Sequence, residues 1–219
     1  MRLLITAATI EEVQPLLSHF KATVLKEQQA FRIQTDQHLI SVVITGVGIL
    51  STTFALTKLL ASARYNMLLN VGICGSYEKD ITLTELVEIT KDTPADLGID
   101  DNGVFRSAFS ENLIDANMPP FTDGWLENKS KTEFLPVKGL TLQTVTGTDT
   151  KANELIQHYD AQVETMEVSA VFYTALRLQQ PFMAIRSVSN YVGNRRKEEW
   201  LTEEAVQSLN YWLLNYLSE

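Results

Sequence analysis

The spacing of apolar positions changes character repeatedly along the chain. Leu3 to Ala8 is an almost continuous apolar run, which predicts a buried strand. Glu11 to Phe20 follows with helical spacing through Val13, Leu16, Leu17 and Phe20, and Pro15 is tolerated because it lies near the first turn. Phe31 to Thr35 and Leu39 to Thr45 read as two strands around the polar turn Asp36-Gln37-His38. Thr45-Gly46-Val47-Gly48 reads as a tight loop, and Thr52 to Ala63 as a helix packing through Phe54, Ala55, Leu59 and Leu60. Met67 to Ile73 is a second fully buried strand that runs into Cys74-Gly75-Ser76, and Glu85 to Thr90 alternates as a short strand.

Periodicity fades from Lys91 to Lys131, where Asp, Asn, Gly and Pro119-Pro120 accumulate. So long a stretch predicts a functional insert or lid. Leu140 to Thr146 is then a predicted strand and Thr150 to Tyr159 a helix. Glu164 to Leu178 reads as a strongly buried helix through Val168, Val171, Phe172, Ala175 and Leu176. Phe182 to Ser189 is a strand, and Glu203 to Leu217 closes the chain as an amphipathic helix. Alternating strands and helices without a repeat or linker predict one α/β domain over residues 1–219, its central sheet covered by helices on both faces.

Composition narrows the functional classes. At 219 residues and 45% apolar the chain can fill a sizeable core. A formal charge of −9 and a pI near 4.9 argue against nucleic acid or an anionic membrane as partner. The one cysteine, Cys74, cannot form an intrachain disulfide. No segment approaches the ~20 apolar residues of a membrane span, and acids soon follow the short apolar start, unlike a signal peptide. A cytoplasmic protein is expected.

Several motifs are weak. Gly46-Val47-Gly48-Ile49-Leu50-Ser51 lies between a strand and a helix like a dinucleotide loop, but Ser51 replaces the third glycine and no ribose-binding acid ends the next strand. His19, His38 and His158 are scattered and read as surface residues, so no metal site is expected. No Gly-x-Ser-x-Gly elbow is present. More informative are polar groups at strand ends, where α/β sheets bind ligands. Glu11-Glu12, Gly72 to Ser76, Thr146-Gly147-Thr148-Asp149 and Ser189-Asn190 all fall there. Glu167 opens an otherwise apolar helix; it either caps that helix or serves a ligand.

Val163-Glu164-Thr165-Met166-Glu167-Val168-Ser169-Ala170, followed by Ile185-Arg186-Ser187-Val188-Ser189-Asn190, resembles the paired signatures of the nucleoside phosphorylase and nucleosidase superfamily. The opening Ala7-Ala8-Thr9-Ile10-Glu11-Glu12-Val13 is similar to its hydrolytic branch, the methylthioadenosine/S-adenosylhomocysteine nucleosidases. Ala95 to Gly103 and Ser189-Asn190-Tyr191-Val192 resemble the futalosine hydrolases within that branch, which act in menaquinone biosynthesis. The resemblance implies a three-layer α/β/α sandwich with a mixed, twisted central sheet, in a homo-oligomer. It implies hydrolysis of a small nucleoside without metal or organic cofactor.

By the same resemblance Glu12 activates water, Glu167 holds the ribose hydroxyls and Met166 packs beside the sugar. Backbone groups of Cys74 and Gly75 lie along the base, and the loop with Thr146 and Thr148 closes over it. Asn190 stands where adenine-specific members carry Asp. Its NH2 can donate to a 6-oxo group while its carbonyl accepts from a protonated N7, a pattern that fits hypoxanthine or guanine. Asn70 stands where phosphorolytic members place a phosphate-binding Arg, which favours water as nucleophile. Futalosine carries a benzoate-type carboxylate, for which Arg195, Arg196, Lys197 and Arg106 are candidates; the alternative for residues 195–197 is a solvated charge run paired with Glu198 and Glu199. A methylthioadenosine nucleosidase, another purine nucleoside hydrolase or phosphorylase, a non-catalytic nucleoside-binding protein and a dinucleotide-dependent oxidoreductase are the alternatives.

Overall fold

In the computed structural model, which describes residues 1–26, 29–129 and 132–218, the first apolar run forms strand β1 (Arg2–Ala7), buried from its second residue onward. A 3-10 turn, Glu11–Val13, leads into α1 (Gln14–His19), where Pro15 occupies the first turn and its missing N–H removes no helical bond. The ribbon β2 (Thr23–Lys26), β3 (Ala30–Gln34) and β4 (Leu39–Ile44) precedes α2 (Gly48–Ser62) and the long strand β5 (Met67–Ser76). Next come β6 (Leu86–Pro94), the hairpin β7 (Gly98–Asp101) and β8 (Val104–Ser107), the short β9 (Leu126–Glu127) and β10 (Leu135–Thr141). The chain ends with α3 (Asp149–Tyr159), β11 (Val163–Thr165), α4 (Val168–Arg177), β12 (Phe182–Tyr191) and α5 (Thr202–Tyr216).

The main sheet runs β11-β10-β6-β12-β5-β1-β4-β3-β2 and is mixed. β4, β1, β5 and β12 are parallel, whereas β6 is antiparallel to β12. The far strand β11 pairs back onto the end of β5, so β5, β12, β6, β10 and β11 close into a small barrel. Helices cover both faces. Leu56 and Leu60 of α2 with Phe172 and Ala175 of α4 pack in one apolar core. Leu16 and Leu17 of α1 with Leu209 and Leu213 of α5 pack in the other. These are the three layers expected of an α/β/α sandwich.

Several elements differ from the expectation. α2 buries Gly48, Thr52, Leu56 and Leu60, a stripe at four-residue spacing that leaves Phe54 on another face, 71% exposed. β6 continues to Pro94, so the aperiodic stretch begins after a strand and contains the β7–β8 hairpin; its positions 130 and 131 lie outside the described residues. β10 ends at Thr141, opposite Pro94, which has no N–H to extend the ladder. Thr146 is therefore in a loop. Residues 163–165 form a strand between β10 and β5, and the helix begins only at Val168. His38 is buried rather than on the surface.

Candidate functional site

The ends of β1, β5 and β12, together with β11, surround a cavity of about 290 Å³. Its wall includes Glu12, Cys74, Gly75, Thr146, Met166, Glu167, Asn190 and Arg195. Residues from five separate stretches of chain thus meet at one place. Thr148 and Arg196 do not line it. Thr148 is exposed and caps α3, accepting from Lys151 N at 3.2 Å, and Arg196 pairs with Glu199 at 3.2 Å on the surface. Both side chains have local partners outside the cavity wall. Arg106 pairs with Asp101 and Glu111 and is likewise outside the cavity.

Glu12 is buried, and the fold supplies it with three donors. Oε2 accepts from Ala8 N at 3.0 Å and Thr9 N at 3.1 Å, and Oε1 accepts from Ile73 N at 3.1 Å. Burial pushes its carboxyl above the 4.5 of a free glutamate; the Arg186 guanidinium and the Thr9 and Ile73 N–H groups oppose this, and the Glu167 charge reinforces it. A carboxylate held this way has fixed geometry and raised basicity, the combination needed to take a proton from water.

Two residues that the sequence analysis did not assign hold this arrangement. Asn210 of α5 is buried, donates Nδ2 to Glu12 O at 2.8 Å and accepts from Leu16 N at 3.0 Å. Arg186 of β12 is buried beneath the site and donates to Asn70 O at 3.1 Å, to Asn70 Oδ1 and to Ile185 O. An Arg inside an apolar strand and an Asn on the buried stripe of a helix are costly without partners, and that cost was the available signal. Asn70 itself is buried and also donates to Thr6 Oγ1 at 3.1 Å. It faces the Arg186 network and does not line the cavity.

Glu167 stands at the N-cap position of α4, but no side-chain capping bond forms. Its Oε1 instead accepts from Gly48 N at 2.9 Å, across the cavity wall. Gly46 and Gly48 both have positive φ, so the turn that resembled a dinucleotide loop presents its N–H to the chain's own carboxylate. That donor is then not directed at a pyrophosphate. Beside it, burial pushes the Cys74 thiol up to about 12, which leaves it an inert wall group.

Asn190 is half-buried at the end of β12. Its Nδ2 donates to Tyr191 O at 3.2 Å, and its Oδ1 lies 2.9 Å from the Ser189 hydroxyl. That hydroxyl also reaches Cys74 O at 3.1 Å. Arg195 is exposed at the rim, its guanidinium 5.0 Å from the centre of the Trp200 ring. Among the described residues, no group of three or more His, Cys, Asp or Glu is placed to hold a metal, and no helix is long and apolar enough to cross a membrane.

Residues 2–213 match the family model of the phosphorylase superfamily. The chain is 29% identical over 180 residues to a futalosine hydrolase of Thermus thermophilus, covering 80% of each chain. It is 30% identical over 186 residues to a futalosine hydrolase of Acidothermus cellulolyticus, covering 78% of this chain and 72% of that one. In three dimensions it superposes on a Helicobacter pylori MTAN mutant with 5'-methylthioadenosine in its active site, at a TM-score of 0.83, 15% identity and coverage of 99% and 98%.

Proposed function

The chain belongs to the phosphorylase superfamily, among the hydrolases that cleave glycosidic bonds of nucleosides, and from that premise we propose that it is a futalosine hydrolase releasing hypoxanthine with water. The observation that carries this reading is the shared cavity of Glu12, Glu167 and Asn190, two carboxylates and an amide around one nucleoside-sized space. Hydrolysis of an N-glycosidic bond develops positive charge on the ribose and negative charge on the base. Glu167, anchored by Gly48 N, accepts from the ribose hydroxyls and offsets the first. Glu12 takes a proton from the attacking water, so hydroxide character forms only at the anomeric carbon. As the C–N bond breaks, the electron pair moves into the base; N7 takes a proton from solvent and donates it in a hydrogen bond to Asn190 Oδ1, Asn190 Nδ2 donates to the 6-oxo oxygen, and the proton taken by Glu12 returns to solvent after turnover. Water adds across the bond, giving the free base and the reducing sugar. Met166 packs against the sugar, and the backbone of Cys74 and Gly75 underlies the base.

Phosphate is the less suitable nucleophile. The Glu12 carboxylate would oppose it, and the nearest buried cation, Arg186, is committed to Asn70 and Ile185. The exposed Arg195 at the rim suits the remote carboxylate of futalosine. The apolar wall of Val47, Met166 and Val206 would suit an alkylthio tail equally well, and this favours methylthioadenosine or S-adenosylhomocysteine as the second reading. Leu50 and Phe54, exposed on α2 beside an apolar groove of about 460 Å³, support a homo-oligomer, which light scattering would measure.

The test is base release from futalosine, inosine, methylthioadenosine and S-adenosylhomocysteine, each with and without phosphate. The expected result is hypoxanthine from futalosine without phosphate. Strict phosphate dependence would refute hydrolysis, and binding without turnover would make the protein a nucleoside-binding protein.

A further inference from the structure

Besides Glu12 and Glu167 the cavity wall holds two further carboxylates, the exposed Glu11 and the buried Glu164, and Glu164 has no part in the chemistry above. It is buried on β11, where its register partner is Gly75 of β5. On the other side of β5, the register partner of the same Gly75 is Asn190 of β12. Glu164 and Asn190 therefore stand on the two strands flanking one glycine, two strand spacings or about 9.5 Å apart at the backbone. A methyl group on Gly75 would lie 3.3 Å from Asn190 Nδ2, 3.5 Å from Glu164 Cγ and 2.8 Å from Val192 Cγ2. The absence of a side chain at Gly75 leaves a flat floor between an amide and a carboxylate.

Glu164 is held in place from behind. Oε1 accepts from Thr146 N at 3.1 Å, and Oε2 accepts from the Tyr77 hydroxyl at 2.8 Å. Burial, and then the Glu164 charge, push the Tyr77 phenol well above its usual range, so it remains a donor. Two carboxylate oxygens offer about four acceptor positions, and these two bonds use two of them. Whatever ring edge meets the remaining ones must present a donor.

We propose that Glu164 is a specificity-determining residue that accepts a hydrogen bond from the ring N1–H of a 6-oxopurine, restricting the site to hypoxanthine and guanine nucleosides. The inference rests on the reading of this cavity as a nucleoside site in which Asn190 faces the 6-oxo group. Around a 6-oxopurine the sequence N7, O6, N1–H is contiguous, so an amide at N7 and O6 leaves N1–H for the group across Gly75. Adenine reverses the pattern. Its N1 is an acceptor, and its lone pair would face the carboxylate with no proton between them. Guanine adds a 2-amino donor beside N1–H, which a carboxylate can also accept.

The experiment compares binding of hypoxanthine, guanine, 1-methylhypoxanthine and adenine to the wild-type protein and to Glu164→Gln. In the variant the carboxamide oxygen keeps Thr146 N, and the NH2 meets the Tyr77 hydroxyl, which can rotate to accept. Wild type is expected to favour hypoxanthine and guanine over adenine and 1-methylhypoxanthine by about 100-fold, and the variant to narrow that ratio at least tenfold. A variant that loses all four bases equally would make Glu164 a tether for the Thr146 loop and overturn the inference, leaving the 6-oxopurine reading intact. Wild-type preference for adenine would overturn that reading itself. Should the variant not fold, equal wild-type binding of hypoxanthine and 1-methylhypoxanthine would still overturn the role of N1–H.

Discussion

Adding one methyl group at Gly72 should disable the proposed general base while leaving most of the fold intact. A Cβ at this position would lie 2.5 Å from Glu12 Oε1 and 3.1 Å from Cδ. Ordinary contact begins at 3.4 Å, so the carboxylate must retreat by about 0.9 Å. It cannot do so freely, because three backbone N–H groups hold it at 3.0–3.1 Å. The bond from Ile73 N, the residue next to the new methyl, is the one lost. A hydrogen bond to a charged group contributes about 1.5–3 kcal/mol, which in a chain of this size lowers the melting temperature by roughly 3–12 °C. A displacement near 1 Å at a reacting group costs about 100-fold in rate. Gly72→Ala is therefore expected to lower kcat for base release by about 100-fold with little change in KM, since ribose and base contacts lie elsewhere. Steady-state assays paired with thermal melts read both effects. A variant within twofold of wild-type kcat would refute the placement of Glu12 as the base.

Glu12→Gln should abolish hydrolysis while preserving nucleoside binding by calorimetry. In the wild type, because burial raises the Glu12 carboxyl above 4.5, the acid limb of kcat/KM should have its midpoint above that value and be absent from any residual activity of the variant. Asp92, buried and bonded to Thr141 Oγ1 at 2.7 Å and to the Ser169 hydroxyl, is held near pH 7 by burial against the bonds from Ser169 and Thr141 and the Arg186 charge. The folded chain thus keeps a proton that the unfolded chain releases near 3.8, so this group lowers stability as pH rises between those values, by on the order of 4 kcal/mol in all. Asp92→Asn should remove that part of the pH dependence in denaturant titrations at pH 5 and pH 8; an unchanged slope would mean that Asp92 titrates normally. Asn210→Ala should cost about 1–3 kcal/mol, because Leu16 N loses its buried acceptor, and should lower kcat by loosening the turn that carries Glu12. Unchanged chemical denaturation and kcat would count against that tether.

The sequence revealed the layers more clearly than the joins between them. Largely apolar runs at Leu3 to Ala7 and Leu68 to Val71, each broken by one polar residue, read as interior strands, and the α5 stripe at Leu209 and Leu213 reads as facing a core. Residues 163–165 were hidden because three residues carry too little periodicity to separate a strand from the first turn of the next helix. Their conformation is set by pairing with β10 and β5, which are distant in sequence. The same closure explains why Glu164 was passed over: nothing local shows that it faces Asn190 across Gly75. Glu12, Glu167 and Asn190 were accessible from motif resemblance, and the structure brings them to one cavity. Thr148 was assigned from the same resemblance and Arg196 from its closeness to Asn190 in sequence, and both side chains have local partners outside the cavity wall.

Cleavage of a 6-oxopurine nucleoside with water is the activity proposed for this site. Its most direct test is internal competition: equimolar futalosine and methylthioadenosine in one phosphate-free reaction, with hypoxanthine and adenine quantified at low conversion. The ratio of the two products gives the ratio of kcat/KM without correction for enzyme concentration or active fraction. Hypoxanthine is expected in large excess, by about 100-fold or more. Adenine released at a comparable or greater rate would contradict it.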